Sequence, residues 1–118
     1  MSDRELLEMA AKAAGLTIWK HGKSDGGFIN NRAESWSPLT HDGDALRLAV
    51  KLQLTICNEH VSAGSAYCTA SGYGFDCNAP SFPEVNSGAN ESDVIPEDYA
   101  ATRRAIVLAA AQIGAAMP

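Results

Sequence analysis

The sequence predicts an α+β domain in which a small antiparallel or mixed sheet of about four or five strands packs with three helices as a layered α/β/α sandwich. Helix patterns occur at both ends and in the middle of the 118-residue chain, and short β-forming runs fill the intervals between them. Strands and helices do not alternate regularly, which argues against a doubly wound nucleotide fold. A hydrophobic fraction of 46% suffices for one core, so we expect a single domain over residues 1–118.

The first helix is predicted over Asp3–Ala14. Ser2 and Glu5 have the spacing of a capping box, in which a hydroxyl and a carboxylate satisfy free N–H groups at the start of a helix. Gly15 supplies the left-handed residue that commonly ends a helix. Between these ends, apolar residues recur at helical spacing, which predicts one buried face.

Short β-forming runs follow the first helix. Residues 16–20 and the pair Phe28-Ile29 flank a glycine-rich stretch at 21–27, which predicts a strand, a turn and a second strand. Three later runs, separated by turn-forming residues, predict an antiparallel meander at residues 54–57, 61–69 and 73–77. Residues 86–93 are polar without periodicity and predict a loop.

The second helix is predicted to begin shortly after Pro38, since proline disfavours helical geometry at the residue before it. Either Thr40 or Asp42 can cap its first turn, and the carboxylates of Asp42 and Asp44 complement the helix dipole. Residues 45–52 are apolar almost all round. We therefore expect this helix to be buried on more than one side.

The final helix begins at Pro96, which suits the first helical position. Its predicted core stripe consists of Tyr99, Thr102, Ile106, Ala109, Ile113 and Met117. A second small or apolar face consists of Ala101, Ala105, Leu108 and Gln112. One sheet covers only one face, so we expect a homodimer through this helix; the alternative is that the first or second helix covers that face within the monomer.

Charge and hydropathy exclude several classes of function. The net charge of −5 repels phosphate backbones, so generic nucleic-acid binding is not expected. No apolar run is long enough to cross a bilayer, and the chain begins with charged residues instead of a signal peptide. We therefore expect no membrane association and a cytoplasmic location.

The three cysteines form an odd number, which a secreted disulfide framework would avoid, so free thiols are expected. A weaker alternative is a zinc site made from Cys57, His60, Cys68 and Cys77. Only the first two of these have the tight spacing of a zinc-binding pair, and we therefore predict no metal and no cofactor.

Two longer stretches, residues 36–52 (WSPLTHDGDALRLAVKL) and 101–107 (ATRRAIV), resemble the phage and prophage α/β/α ("ABA") sandwich domain family. The opening residues 2–7 (SDRELL) and 10–15 (AAKAAG) are similar to the same proteins. The resemblance covers about half of the chain, chiefly its helices. It implies a phage accessory protein in the host cell and supplies no catalytic residues.

We take Trp36, His41, Arg103 and Arg104 as candidate residues for binding a ligand or partner. His41 with Asp42 and Asp44 could form a metal or acid–base cluster, but capping of the second helix explains the same carboxylates. Arg103 and Arg104 offer paired donors for a phosphate or carboxylate, and the competing interpretation is a solvated helix face.

No catalytic constellation stands out, so we predict a non-enzymatic binding protein that occludes a host protein or sequesters a small host molecule, as an anti-defence factor would. The alternatives are a small-molecule, nucleotide-directed enzyme and a structural or assembly component of the phage.

Overall fold

The computed structural model describes residues 2–20, 28–30, 35–59, 65–70, 77–81 and 96–117. Within these ranges lie three helices, α1 (Asp3–Ala14), α2 (Asp42–Lys51) and α3 (Pro96–Ala116). The strands are β1 (Ile18–Lys20), β2 (Phe28–Asn30), β3 (Ser35–Trp36), β4 (Leu54–Glu59), β5 (Ser65–Ala70) and β6 (Cys77–Ser81). They form two three-stranded antiparallel sheets, in the orders β1-β2-β3 and β4-β5-β6.

The predicted fold class is wrong, because the described residues show no layered α/β/α sandwich around one sheet of four or five strands. The described strands before α2 and those after it form separate sheets. In addition, α1 packs chiefly against another helix, α3. The sequence pattern indicates which residues are extended, but it does not specify which strand edges pair. In the described part of the chain, the strands of each group pair only with one another.

Helix α1 has the predicted bounds, N-cap serine and C-terminal glycine, but the Glu5 carboxylate accepts from the Ser2 hydroxyl where the prediction gave it a backbone N–H. The Glu5 amide donates to Ser2 Oγ at 3.2 Å, and the Ser2 hydroxyl is 3.2 Å from Glu5 Oε1. Gly15 has φ 72°, in the left-handed region, and the Leu16 amide donates to the Ala11 carbonyl oxygen at 2.9 Å. Both ends of this helix are therefore satisfied by residues next to them in the chain.

The start of α2 differs from the prediction, since neither Thr40 nor Asp42 caps it. His41 occupies the N-cap position and its side chain makes no capping hydrogen bond. The buried carboxylate of Asp44 instead accepts a hydrogen bond from the Ser37 amide at 2.9 Å. Asp44 thereby fixes the turn that leads into the helix.

Replacing Asp44 with alanine should lower the free energy of unfolding by about 1–3 kcal/mol, because the partly buried Ser37 amide would lose its acceptor. Urea denaturation measures this loss. Asp44 also pairs with Arg47 at 2.8 Å, but the Arg47 side chain is 76% exposed. The control Arg47→Ala should therefore change the same free energy by less than about 1 kcal/mol. Equal losses in the two variants would contradict the role given to the Ser37 amide.

Helix α2 buries one face only, contrary to the prediction that it is covered on more than one side. The buried residues, Ala45, Leu48, Ala49 and Leu52, recur at the spacing of a single helical face. Leu46 and Val50, one turn apart on a neighbouring face, are 60% and 69% exposed. The helix therefore presents two large apolar side chains to its surroundings.

The predicted antiparallel meander is present as β4, β5 and β6. Its third strand begins at Cys77, where the prediction ended, and residues 71–76 lie outside the described residues. The predicted glycine-rich turn at 21–27 and the predicted loop at 86–93 also lie outside them. Strand β3 was not predicted, because it has only two residues and Trp36 was assigned to the segment that leads into α2.

Helix α3 lies at the centre of the fold, in contact with α1, α2 and all three strands of the second sheet. The predicted core stripe is right for Ile106, Ala109 and Ile113, which are buried, but Tyr99 is 52% and Met117 38% exposed.

No helix in the described ranges is both long and apolar enough to span a bilayer.

The second face of α3, which suggested a dimer, is largely covered within one chain. Ala101 and Ala105 are buried, Leu108 is half-buried and Gln112 is exposed. Because α1 packs along α3, the monomer itself accounts for most of this burial. The homodimer stays a prediction, but surplus apolar surface on this face no longer supports it.

Candidate functional site

A groove of about 520 Å³ opens between the first half of α2, the first half of α3 and strand β4. The three elements meet there because the buried face of α2 packs on α3 while β4 follows α2 directly in the chain. Its described lining consists of Asp42, Gly43, Ala45, Leu46, Ile56, Asp98, Tyr99, Thr102, Arg103 and Ile106.

The wall of the groove is mainly apolar. Leu46 from α2 and Tyr99 from α3 are the large exposed side chains that line it, and Ile56 and Ile106 continue the surface toward the core. A ligand in the groove would remove the exposed parts of Leu46 and Tyr99 from water. The groove therefore offers hydrophobic binding energy that the isolated chain does not use.

Arg103 ties the two helices together at the edge of the groove. Its Nε donates to the Leu39 carbonyl oxygen at 2.9 Å, and its Nη1 donates to Asp42 Oδ1 at 2.6 Å. The Arg103 side chain is 18% exposed and that of Asp42 is 70% exposed, so only the guanidinium end of this ion pair is shielded from water. Arg103 thereby positions the start of α2 against α3.

Asp98 places a buried carboxylate in the wall of the groove, with the residue 1% exposed. It is the third residue of α3, where the helix dipole favours negative charge. One turn later, the Thr102 hydroxyl donates to the Asp98 carbonyl oxygen at 3.0 Å. Both polar residues are thus held in place by the first turns of α3.

The structure does not gather the four predicted binding residues into one site. Trp36 is 5% exposed and belongs to the core, while His41 is exposed at the N-cap of α2. Arg104 pairs with Asp3 of α1 at 3.0 Å, whereas Arg103 turns toward α2. The two arginines therefore cannot clamp one anion together in this arrangement, and only Arg103 lines the groove.

The candidate zinc ligands lie on neighbouring strands, except for His60, which is outside the described residues. In the register, Cys68 pairs with Ile56 of β4, while Cys57 pairs with Tyr67 of β5. Because successive strand residues alternate between faces, Cys57 and Cys68 occupy positions on opposite faces of the sheet. Within the described ranges, no group of three or more His, Cys, Asp or Glu residues is placed to hold a metal ion.

Sequence reasoning missed most residues of the groove. Leu46 was assigned to a helix buried on more than one side, and Tyr99 to the core stripe of α3. The spacing of Ala45, Leu48 and Leu52 does define one face, and it leaves Leu46 outside that face. That pattern could have indicated an exposed leucine, whereas nothing in the pattern brings α2 and α3 together.

Comparison with known proteins gives no match for this chain, whether among family models, curated proteins or solved structures. Membership of the phage sandwich-domain family therefore stays a prediction that rests on the helix motifs at residues 36–52 and 101–107.

Proposed function

We propose that the protein is a non-enzymatic binding protein that holds a small organic molecule in the groove between α2 and α3. The observation that carries this proposal is the groove itself: at about 520 Å³ it falls in the usual range for small-molecule sites. It also combines apolar walls with a few polar groups, as such sites do. The resemblance to phage proteins supports an accessory role in the cytoplasm of the host, where such binding would sequester a host molecule.

The contacts of the polar side chains favour binding over catalysis. Arg103 is bonded to Asp42 and to the Leu39 carbonyl, and the Thr102 hydroxyl donates to a backbone oxygen. A catalytic site needs a nucleophile or base within reach of an activating partner, and the described lining shows no such pair. The alternative of a small-molecule enzyme gains no specific support from these contacts.

The proposal is tested by titrating the protein with small neutral aromatic probes, such as indole and 2-phenylethanol, and measuring heat and chemical-shift changes. We expect saturable binding with one site per chain. Leu46→Gln should weaken binding about tenfold or more, since the ligand would no longer bury a leucine side chain. Leu46 is 60% exposed, so this variant should still fold.

Val50→Gln is the matched control, because Val50 is on the same helix and 69% exposed but does not line the groove. It should leave the affinity for the probes unchanged. Absence of saturable binding by every probe would contradict the proposal, and so would equal losses in the two variants. Capture of a host protein through Leu46, without binding of any small probe, would point to the partner-occlusion alternative.

A further inference from the structure

We infer that Arg103 is a positioning residue for this groove, which fixes the distance between the two helical walls and thereby restricts the ligand to narrow molecules. The inference rests on the proposed function, since it concerns the specificity of the same site. Three observations carry it: the bonds that Arg103 makes, the hydrogen-bonded turn that receives one of them, and the small size of the apolar residue buried at the start of α2.

Arg103 joins the two walls at one end of the groove. It belongs to α3, and its guanidinium group donates to Asp42, the first residue of α2, at 2.6 Å and to the Leu39 carbonyl oxygen at 2.9 Å. Both Arg103 and Asp42 line the groove, so a ligand bound there lies beside this link. The walls can separate at that end only if the link breaks.

The turn before α2 connects Arg103 to the helix as a unit. Leu39 lies inside this turn. The amides of Thr40 and His41 both donate to the Ser37 carbonyl oxygen, at 3.1 and 2.8 Å. The Ser37 amide in turn donates to the carboxylate of Asp44, in the first turn of α2. Because the turn and the helix start are bonded to each other, a bond to the Leu39 carbonyl oxygen also holds the start of α2.

Apolar packing holds the start of α2 less firmly than its end. The apolar residue buried in the first turn is Ala45, whereas Leu48 and Leu52 are buried farther along. Burial of a leucine side chain removes much more apolar surface from water than burial of alanine. The second half of the helix is therefore fixed by packing, and the first half, which forms the groove wall, depends more on Arg103.

A wide ligand has to break the Arg103 link before it fits, whereas a narrow ligand does not. The wide ligand loses the free energy of the link on binding, and a variant without the link no longer imposes that loss. Two hydrogen bonds, one of them to a charged partner, correspond to about a tenfold change in affinity. Removal of the link should therefore strengthen the binding of a wide ligand, whereas general damage to the fold would weaken the binding of every ligand.

The experiment compares two uncharged ligands with the same hydroxyl group, 2-phenylethanol and the wider 2,2-diphenylethanol. Each is titrated calorimetrically into the wild-type chain and into Arg103→Met. We expect the variant to bind diphenylethanol about tenfold more tightly than the wild type does, and to bind phenylethanol no more tightly. Arg103→Lys can keep the single bond to Asp42 and should restore part of the selectivity. Equal affinities of the wild type and Arg103→Met for diphenylethanol would overturn the inference, while binding of phenylethanol would leave the proposed function intact.

Two further variants separate the link from other effects of the substitution. Arg104→Met is the matched control, because it removes the same charge from the next position, where Arg104 pairs with Asp3 of α1 and is not among the described lining residues. It should leave both affinities as they are in the wild type, and a gain equal to that of Arg103→Met would contradict the inference.

Asp42→Asn keeps the Arg103 side chain in place and weakens only its charged bond, so a smaller gain for diphenylethanol is expected. Asp42 is 70% exposed, and this variant therefore tests the inference even if Arg103→Met does not fold. No gain in Asp42→Asn would mean that the wide ligand only fills the space vacated by the arginine, and the positioning role would be wrong. Failure of both ligands to bind would contradict the proposed function itself.

Discussion

Replacing Gly114 with valine should unfold the domain or force α1 away from α3. A Cβ atom at Gly114 would overlap the carbonyl oxygen of Met9 and lie 2.8 Å from the Met9 carbonyl carbon. These are backbone atoms of α1 and cannot rotate away. Substituting glycine in a helix ordinarily gains up to about 1 kcal/mol of helix propensity, but overpacking costs typically 1–3 kcal/mol and occasionally more. Because the overlap is with backbone, we expect the steric cost to dominate.

Urea denaturation and circular dichroism of Gly114→Ala and Gly114→Val measure this effect, with the larger loss expected for valine. Gly43→Ala is the control, since the nearest atoms to a Cβ there belong to the flexible Arg47 side chain, at 3.4 Å or more. That variant should be neutral or slightly stabilised through helix propensity. If Gly114→Ala were as stable as the wild type, the close crossing of α1 and α3 would be wrong.

The parts of the fold that the sequence predicted are those determined by neighbours in the chain. Ser2, Glu5 and Gly15 define α1 through bonds that span three or four residues, and Pro96 marks the start of α3. The antiparallel order of β4, β5 and β6 agrees with the short intervals that separate these strands in the sequence. Such local interactions need no knowledge of the rest of the fold.

The parts that could not be predicted depend on contacts between distant residues. Whether the two groups of strands join depends on the pairing of strand edges, which propensity does not encode. The same limit applies to Arg103, which the sequence offered as an anion-binding residue or as part of a solvated helix face. Its partner Asp42 is 61 residues away, and their contact places Arg103 between two helices.

The groove shows this limit most clearly. Its exposed apolar residues, Leu46 and Tyr99, belong to two helices that the sequence predicted separately, and periodicity assigned both residues to buried faces. They are exposed because the crossing of α2 and α3 buries Ala45 and Leu48 instead. A helical pattern shows which residues share a face, but the packing partner decides how far burial extends around the helix.

Replacing Ile106 with aspartate should unfold the domain, because Ile106 is 4% exposed and belongs to the core cluster that α3 shares with α1 and α2. A buried carboxylate without a partner costs at least several kcal/mol, and the total stability of a domain is only about 5–15 kcal/mol. Thermal melting followed by circular dichroism measures the loss.

Ala100→Asp is the matched control on the same helix. Ala100 is exposed and lies near the N-terminus of α3, where a negative charge is favourable, so this variant should melt within a few degrees of the wild type. Ile106 also lines the groove, so the aspartate variant distinguishes a residue that stabilises the core from one that serves only ligand binding. If core packing dominates, as an exposure of 4% indicates, the aspartate variant loses its cooperative transition. If instead it melted like the wild type and lost only ligand binding, Ile106 would belong to the groove and not to the core, and the central position of α3 would need revision.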